Sequence, residues 1–441
     1  MDVRATFLRA LFWMTDFLKG SPIGNPYREI KYIQEHSYDD GLPIRIKALH
    51  RLMDYAREHT IFYKNVKGYE LDSFPIMDKM KLIEHYNEIC VDATEIPEQH
   101  GTVHIQTTSG STGTPFKIPQ DTRKRQRRVA ELKYFGKIVG FQTHDKLIHL
   151  RTWNKWQKKT SKQIKAENII PFDIATMDED ALKRLCDLTV NEKAVCLRGY
   201  ASSLGKMAEY ANGKGYKFPC LKIAIAGSEA LQDDVRALYK SVMNSEIISQ
   251  YANEECGVLA QERIPTSETE NRMYWNHSGY FFEILKFDSN APAEYGELGR
   301  IVITDLYNYA FPLIRYDNGD TAILFPPDEH SNGYPVLGKL FGRRFDLTYS
   351  TSGAAIFPLT YGRILKHYHN IAQWQFVQEE EKKYILKLVM RGDIGDLDSI
   401  VKQFKEFLGS DAIITIEFVT AIPVLASGKR KPCVNNWKFN P

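Results

Sequence analysis

The sequence lacks the features that mark several classes of protein. Six cysteines are scattered through 441 residues and no pair has C-x-x-C spacing, which disfavours both a thiolate metal knuckle and a disulfide framework. No apolar run approaches the roughly 18 residues of a membrane-spanning helix. The net charge is only +3, so the charge balance indicates no nucleic-acid partner. We therefore expect a cytoplasmic protein without a transmembrane segment.

Internal repeats and low-complexity tails are also missing. Hydrophobic residues make up 43% of the chain, which is ordinary for a protein with a large core. The first twenty residues are apolar at helical spacing, but Arg9 interrupts the run and Asp16 follows it, unlike a signal peptide. Two interpretations stay open: a helix laid on the protein's own core, or a helix that docks on a membrane surface or a partner. A homodimer is also left open.

The order of apolar patterns predicts the fold class. The first hundred residues look helical, and from about 100 to 230 short β-type runs alternate with helical runs, which is typical of α/β proteins with a largely parallel sheet. The pattern predicts an antiparallel, barrel-like, β-rich subdomain at about 270–341. We assign 1–341 to a large N-terminal domain with mixed α/β sheets, and 342–441 to a small, mobile α+β lid domain.

Residues 107–115 read TTSGSTGTP and form the most informative segment of the chain. Glycine allows close approach of the backbone to a ligand, and successive N–H groups with added hydroxyls form an anion site. A phosphate chain is the natural guest of such a loop. The alternative is a flexible linker, which Gly/Ser-rich stretches often are.

Five later segments follow this loop in a fixed order. Their chemistry suits a nucleotide site: strand ends that bind ligands, paired acids suited to Mg²⁺, an aspartate for ribose hydroxyls, an arginine for phosphate, and a lysine that neutralises developing charge. Each acid also has a plain structural alternative at a helix start or in a turn. The segments are KIAIAGSEAL, IISQYANEECG, RYDNGD, GRRFD and ASGKRK.

Taken in order, these motifs strongly resemble those of the adenylate-forming enzyme superfamily, in its phenylacetate–CoA ligase and capsular-polysaccharide-biosynthesis branch. TTSGSTGTP is similar to the family's phosphate loop, GSEAL to its adenine-pocket segment and QYANEE to its Tyr-Gly-x-Thr/Ser-Glu segment. RYDNGD, GRRFD and SGK resemble its ribose, hinge and C-terminal lysine motifs. FPIMDK, near the N-terminus, resembles an entry motif of the same branch. The resemblance covers residues 45–435, and six ordered motifs are far more specific than one.

The resemblance implies a role for each matching residue. The phosphate loop would hold the β- and γ-phosphates of ATP, with Thr112 among the catalytic residues. Glu255 would bind Mg²⁺ and Lys429 would bridge the carboxylate and the α-phosphate, so both are assigned as catalytic. The other implied nucleotide ligands are Ser109, Gly110, Ser111, Gly113 and Thr114 for the phosphates, Gly227, Ser228, Glu229 and Tyr251 for adenine, Asp320 for ribose, and Arg343 at the hinge.

The implied activity is ATP-dependent activation of a carboxylic acid as acyl-AMP, with release of pyrophosphate and transfer to an acceptor. The acceptor is either the thiol of coenzyme A or an amine, the latter in capsular or O-antigen polysaccharide biosynthesis. Tyr134, Phe135, Trp153 and Tyr200 are candidates for an aryl pocket wall, or for plain packing. The basic run 122–128 could meet phosphates, or form a solvated helix face.

Several positions depart from the family pattern. Ala252 replaces a glycine, Glu254 replaces a hydroxyl residue, and the hinge acid falls one residue late, at Asp346. These departures favour an alternative, a catalytically silent relative that binds a nucleotide or a glycan. Relatives in this branch can carry zinc, but only Cys256 and His277 are available here, so we expect no zinc site.

Overall fold

The fold comes from a computed structural model of the chain, and the described residues form helices on both sides of a large sheet together with a smaller C-terminal sheet. The structure describes residues 3–107, 116–153, 160–264, 272–287, 289–343, 348–356, 358–365, 367–368, 370–392, 397–423 and 432–437. Within these ranges no helix is both long and apolar enough to cross a bilayer.

Twelve α-helices lie in the described residues, with a 3₁₀ turn at Leu71–Ser73 and a π-helical turn at Tyr239–Met243. The helices are α1 Val3–Leu18, α2 Gly24–Glu35, α3 Tyr38–His59, α4 Lys79–Glu84, α5 Tyr86–Ile89, α6 Thr122–Ile138, α7 Ser161–Glu167, α8 Glu179–Asn191, α9 Ala201–Ala211, α10 Asp233–Leu238, α11 Pro358–Leu365 and α12 Leu397–Leu408. The mainly helical first hundred residues are therefore as predicted.

Strands occur at about 100–230 and 270–341, as the β-type runs predict, and also at 77–78, at 246–262 and after 341. They are β1 Met77–Asp78, β2 His104–Thr107, β3 Lys117–Gln120, β4 Leu147–Arg151, β5 Ile169–Asp173, β6 Cys196–Tyr200, β7 Ile223–Gly227, β8 Glu246–Asn253, β9 Gly257–Glu262, β10 Met273–Trp275, β11 Tyr280–Leu285, β12 Leu298–Asp305, β13 Tyr316–Phe325, β14 Val336–Arg343, β15 Thr348–Tyr349, β16 Ala355–Ile356, β17 Ile371–Gln378, β18 Lys383–Met390, β19 Ile413–Phe418 and β20 Cys433–Asn435.

Helix starts follow from local sequence. Asp78, Asp121 and Asp178 precede α4, α6 and α8, and each side chain accepts hydrogen bonds from backbone N–H groups of the first turn. These N–H groups have no partner within the helix, and a short acceptor at the N-cap satisfies them. The caps fix where the chain turns from loop to helix, and hence where the preceding strands end.

The main sheet joins a parallel half to an antiparallel half. Its order is β11-β12-β13-β14-β10-β9-β8-β7-β6-β4-β5, with β1 paired to β13. Strands β4 to β8 pair in parallel. Buried Ile, Leu and Ala residues of these strands cluster with α8 and α9, whereas Leu147, Cys196 and Ile223 belong to a second cluster with Val139, at the end of α6. Parallel strands covered by helices read as continuous apolar runs, which is why the sequence shows them clearly.

The β-rich segment needs one correction. Strands β10 to β14 are antiparallel as predicted, but they continue the parallel strands through the pairing of β9 with β10. The order is linear, and no pairing closes a barrel within the ranges that the structure describes. The reason is the short strand β10, which lies between β9 and β14 and joins the two halves at a single edge.

The C-terminal residues form a separate small sheet of order β19-β18-β17-β20. A hairpin with a charged turn joins β17 to β18, and β19 runs parallel to β18, in agreement with the predicted strand–helix–strand rhythm. Helices α11 and α12 pack their apolar faces against Phe376 and Leu386 of this sheet. The fold is therefore α/β with a small C-terminal α+β unit. The boundary at 342 stays a prediction, because residues 344–347 lie outside the described chain.

Candidate active site

The carboxyl ends of three neighbouring parallel strands lie side by side. In the ladder, Tyr200 of β6 is opposite Gly227 of β7, and Gly227 is opposite Gln250 of β8. Tyr251 follows on β8, at a bulge in its pairing with β9. Ligands of open α/β sheets bind outside such strand ends, so this edge is where we look for a site.

The segment after β7 turns sharply. Ser228 has a φ of 67°, in the left-handed region that non-glycine residues seldom adopt. The carboxylate of Glu229 accepts a 3.0 Å hydrogen bond from the backbone N of Ser202, in the first turn of α9. An acid is favoured at this helix end. Three of the four residues assigned to adenine, Gly227, Ser228 and Glu229, thus lie at the carboxyl end of β7, with the Glu229 carboxylate bonded to α9.

Tyr251 and Asp320 are directly bonded. The Tyr251 hydroxyl donates to Asp320 Oδ2 over 2.6 Å and accepts from Asn318 Nδ2 over 2.6 Å. Burial raises the pKa of Tyr251 well above its ordinary value, and the Asp320 carboxylate raises it further. The phenol is therefore a neutral donor throughout the physiological range, and it fixes the orientation of the aspartate.

The RYDNGD turn shapes the backbone around Asp320. Gly319 has a φ of 83° and donates its N–H to Asp317 Oδ1 over 3.0 Å, while the Asp320 N–H is bonded to Asn318 Oδ1 over 3.0 Å. Only glycine takes such a φ without cost. In the antiparallel ladder, Asp320 lies opposite Arg343. Asp320, assigned to the ribose, and Arg343, assigned to the hinge, therefore occupy paired positions on β13 and β14.

Glu255 lies in the turn between β8 and β9 and is 8% exposed. Its Oε1 accepts a 3.3 Å hydrogen bond from the Tyr316 hydroxyl. Tyr316 begins the same RYDNGD strand that carries Asn318 and Asp320. The QYANEE and RYDNGD segments are therefore linked twice, once through Glu255 and once through Tyr251.

The two strands that flank the phosphate loop are bonded to the turn that carries Glu255. Gln106, before the loop, donates to Glu254 Oε2 over 2.8 Å. Gln120, after the loop, donates to the carbonyl of Glu255 over 2.9 Å. β2 and β3 pair as an antiparallel hairpin from His104–Gln120 to Thr107–Lys117. The described flanks of the loop, at Gln106 and Gln120, therefore lie beside the turn that carries the predicted metal ligand.

The basic run 122–128 is not a solvated helix face, which corrects one of the two alternatives. Lys124 is 1% exposed and forms a 2.6 Å ion pair with Asp305. Arg127 is buried against Glu29, at 2.8 Å, and its guanidinium lies over the Tyr307 ring. Lys124 and Arg127 therefore lie on the buried side of α6, where Asp305, Glu29 and Tyr307 are their partners.

Two other arginines of this run reach the candidate site. Arg128 Nη1 donates to the Glu254 carbonyl over 2.8 Å, and Arg125 Nη1 lies 3.5 Å from Gln106 Oε1 and 3.3 Å from Gln120 Oε1. Burial lowers the pKa of Arg125, and the neighbouring Arg128 lowers it further, against the opposing effect of Glu254. Positive charge is thus concentrated beside the flanks of the phosphate loop.

The turn bearing Glu255 is supported from inside the protein. The backbone carbonyl of Cys256 accepts a 2.8 Å hydrogen bond from the Tyr280 hydroxyl, which itself accepts from Lys124 over 3.1 Å. With the Lys124–Asp305 ion pair, this forms a buried polar chain that ends at the turn. Buried polar groups of this kind are costly unless all are satisfied, so the chain fixes the position of the turn.

The departures from the family pattern have a structural explanation. Ala252 is exposed on β8 and is not among the residues with positive φ. The backbone conformation at this position therefore does not require glycine. Glu254 accepts the Gln106 amide and lies near Arg125. The extra carboxylate is therefore matched by an amide donor and by nearby positive charge.

The aromatic candidates separate into two pairs. Tyr134 and Phe135 are buried in a cluster with Ile30, Ala130 and Val258, which favours plain packing. Trp153 Nε1 donates to the Phe172 carbonyl over 3.2 Å, and half-buried Tyr200 lies at the strand edge. Trp153 and Tyr200 remain candidates for a pocket wall.

Other assignments lie outside the described residues. These are the phosphate-loop residues Ser109, Gly110, Ser111, Thr112, Gly113 and Thr114, the catalytic lysine Lys429, and the hinge residue Asp346. Arg343 is described only by its place in β14. The roles of all the assigned residues stay predictions.

No group of three or more His, Cys, Asp or Glu side chains able to hold a metal occurs in the described ranges. His277 stacks on Tyr334, with 3.9 Å between ring centroids, and Cys256 lies buried under the 254–256 turn. Mg²⁺ usually takes one or two carboxylates plus phosphate oxygens and waters. The oxygen donors of the Glu254–Glu255 turn, beside the phosphate-loop flanks, fit that ion.

Gln106, Gln120 and Tyr316 are residues of the candidate site that sequence reasoning missed, whereas Arg125 and Arg128 belong to the basic run for which a phosphate contact was one of two alternatives. Their types are common and none stands in a distinctive spacing, except that Tyr316 lies inside RYDNGD. The signal for the arginines was present in the basic run, but the sequence does not show which face of α6 is buried.

Known proteins are similar to this chain in sequence. Residues 348–436 match the family model of the CapK C-terminal domain. The protein CapK of Staphylococcus aureus is 22% identical over 96% of this chain and 95% of its own length.

Solved structures show the same architecture. A 2-hydroxyisobutyryl-CoA ligase, in the postadenylation state with R3-HIB-AMP, superposes with a TM-score of 0.71 at 16% identity, covering 91% of each chain. ATP-bound MatB from Rhodopseudomonas palustris gives a TM-score of 0.56 at 13% identity, covering 74% of this chain and 66% of its own. The chain therefore shares the fold of these solved ligases and is similar in sequence to CapK, in agreement with the resemblance that its motifs predict.

Proposed function

We propose that this protein is an AMP-forming ligase that activates a carboxylic acid with ATP and then transfers the acyl group. The observation that carries the proposal is the double link between the QYANEE and RYDNGD segments, Tyr251 to Asp320 and Glu255 to Tyr316. It brings the carboxylates that we assign to the ribose and to Mg²⁺, Asp320 and Glu255, close to each other and to the flanks of the phosphate loop. The solved relatives that bind acyl-AMP and ATP support this function.

In the proposed first step, a carboxylate oxygen of the acid attacks the α-phosphorus of ATP. One C(=O)O–P bond forms, the bond between the α-phosphorus and its bridging oxygen breaks, and pyrophosphate leaves with that oxygen. Such phosphoryl chemistry depends on positioning and charge stabilisation. Asp320, held by Tyr251, would orient the ribose, while Arg125 and Arg128 would raise the positive potential around the triphosphate. Mg²⁺, when bound at Glu255, would supply charge neutralisation.

In the proposed second step, a nucleophile attacks the acyl carbon. The bond between that carbon and the phosphate oxygen breaks, and AMP leaves with the oxygen. The nucleophile is the thiol of coenzyme A or an amine, and in either case it loses one proton. The relatives named as CoA ligases favour the thiol, whereas the similarity to CapK favours an acceptor used in capsular polysaccharide biosynthesis. We keep both acceptors within the proposal.

The experiment is pyrophosphate release from ATP with a panel of carboxylic acids, run with and without coenzyme A, and with amino sugars in a parallel series. We expect one class of acid to stimulate release and the Lys429→Ala variant to lose most of that stimulation. Lys431→Ala, two residues away in the same basic segment, is the matched control and should retain activity. An acid that responds equally in the wild type and in Lys429→Ala would overturn the lysine assignment.

The second candidate is a catalytically silent nucleotide-binding relative, which Glu254 favours because its carboxylate lies near the phosphate-loop flanks. It predicts thermal stabilisation by ATP without acyl-AMP or pyrophosphate for any acid in the panel. Detection of acyl-AMP by mass spectrometry would rule it out.

A further inference from the structure

Helix α1 packs on the protein along one face only. Asp16 is buried and accepts from the backbone N–H groups of Ile23 and Gly24, both over 2.8 Å. Arg9 forms a 2.6 Å ion pair with Asp145, and Phe12 meets His144 edge-on. The predicted helix on the protein's own core is therefore present, but these contacts occupy only one side of it.

The opposite side of α1 is apolar and open. We call this surface the α1 stripe; its residues lie at steps of three and four, which places them on one helix face, with Phe17 beside them. At about 1.5 Å per residue the stripe runs for about 22 Å. Its members and their exposed fractions are Val3 82%, Phe7 65%, Leu11 41%, Met14 55%, Phe17 74% and Leu18 75%.

Positive charge lies at both ends of the α1 stripe. Arg4 and Lys19 are exposed at the two ends. Arg4 Nη2 lies 3.4 Å from the carbonyl of Lys165, whose side chain is also exposed. The one acidic residue of α1, Asp16, is buried in the cap of α2. The open side of the helix therefore combines large apolar side chains with flanking cations.

We propose that the α1 stripe is a docking surface for an anionic lipid bilayer, in which α1 lies parallel to the membrane plane. Interfacial helices bury Phe and Leu side chains at the boundary between headgroups and acyl chains and place Lys and Arg among the headgroups. The arrangement of Phe7, Phe17, Arg4 and Lys19 has that composition. Because the helix is held on the folded domain, docking brings the whole protein to the surface.

A second copy of the chain fits the α1 stripe less well. Two parallel helices would bring Arg4 beside Arg4 and Lys19 beside Lys19, and two antiparallel helices would bring Arg4 beside Lys19. Every arrangement of aligned stripes thus places like charges together, which is unfavourable at an interface. Phosphate headgroups would instead neutralise both ends.

The test is co-sedimentation of the full-length protein with vesicles of phosphatidylcholine, with and without phosphatidylglycerol. We expect binding to the vesicles that contain phosphatidylglycerol. The Phe7→Gln/Phe17→Gln variant should lower the partition constant about tenfold or more, since binding scales with buried apolar area. The Arg4→Gln/Lys19→Gln variant should lose about fivefold per residue on anionic vesicles, because each basic residue near such a surface contributes about that factor.

The matched control is Ile61→Gln/Met80→Gln, which removes two side chains that are 73% and 68% exposed away from α1 and should leave binding unchanged. Circular dichroism and the thermal midpoint check that all variants fold. Three outcomes would overturn the proposal: no wild-type binding to anionic vesicles, an equal loss in the control, or a concentration-dependent dimer in ultracentrifugation that Phe7→Gln/Phe17→Gln abolishes. The result does not depend on ligase activity, so it is separable from the proposed function.

Discussion

The Tyr251 hydroxyl donates a 2.6 Å hydrogen bond to Asp320, which lies 69 residues later in the sequence. The bond crosses from the end of the parallel half of the sheet to the antiparallel half. A carboxylate assigned to the ribose is thereby oriented by a side chain assigned to the adenine pocket.

Replacing Tyr251 by phenylalanine removes this bond and leaves the ring in place. A hydrogen bond to a charged group contributes about 1.5–3 kcal/mol, so we expect the KM for ATP to rise about tenfold or more, with a smaller change in kcat. Tyr274→Phe is the matched control, because Tyr274 donates to Asp328 over 3.2 Å outside the candidate site. An equal KM change in both variants would contradict a nucleotide-specific role.

Glu254→Gln tests the departure beside the phosphate-loop flanks. The amide oxygen can still accept from Gln106, so the change removes charge and keeps the hydrogen bond. With less repulsion of the triphosphate, we expect the KM for ATP to fall about threefold to fivefold, and the effect to shrink at high salt. A rise in KM would show instead that the carboxylate is needed to orient Arg125.

The buried Lys124–Asp305 ion pair is predicted to be a stability determinant. Lys124→Met leaves Asp305 buried without its cation, which typically costs about 3–5 kcal/mol of the free energy of unfolding. The double variant Lys124→Met/Asp305→Asn should recover part of that loss. Urea unfolding measures both.

Lys183→Met is the comparison for this pair. Lys183 pairs with Asp187 over 2.8 Å, but at the surface, where ion pairs contribute little to stability. If Lys124→Met cost no more than Lys183→Met, the buried chain beneath the Glu255 turn would not have the role we assign to it.

Lys133 gives a pH-dependent prediction. Burial lowers its pKa from 10.5 to about 8, so the folded state disfavours the charged form. Below pH 8 this penalty is fully present, and it disappears as pH rises from the folded value toward the unfolded one. Lys133→Met should therefore stabilise the protein by about 1–2 kcal/mol at neutral pH. The gain should shrink above pH 8.

Thermal unfolding between pH 6 and pH 10 measures this change. Lys137→Met is the control on the same helix, because the Lys137 side chain is exposed. A constant difference between Lys133→Met and the wild type across the range would contradict the prediction.

The alternation of strands and helices could be predicted from the sequence because parallel strands that are buried on both sides have nearly continuous apolar runs. The order of the motifs along the chain could also be read from the sequence. The contacts between side chains that are distant in the sequence could not be predicted. Nothing near Lys124 indicates that Asp305 will bury it, and nothing near Tyr316 indicates that its hydroxyl reaches Glu255, because both contacts depend on strand order in the sheet.

The barrel-like prediction failed for a related reason. The runs from 270 to 341 show alternation, and alternation alone does not tell whether the last strand returns to the first. That choice depends on β10, three residues long, which pairs with β9 on one side and β14 on the other. A strand this short has too few residues to show a pattern.

The cap that Asp16 provides has a mechanical consequence. Two backbone donors at the start of α2 depend on a carboxylate carried by α1, so lifting α1 from the domain would leave both donors and the carboxylate without these bonds. We therefore expect helix α1 to stay attached to the domain when it binds a surface. A surface that binds α1 would then also fix the orientation of the whole domain.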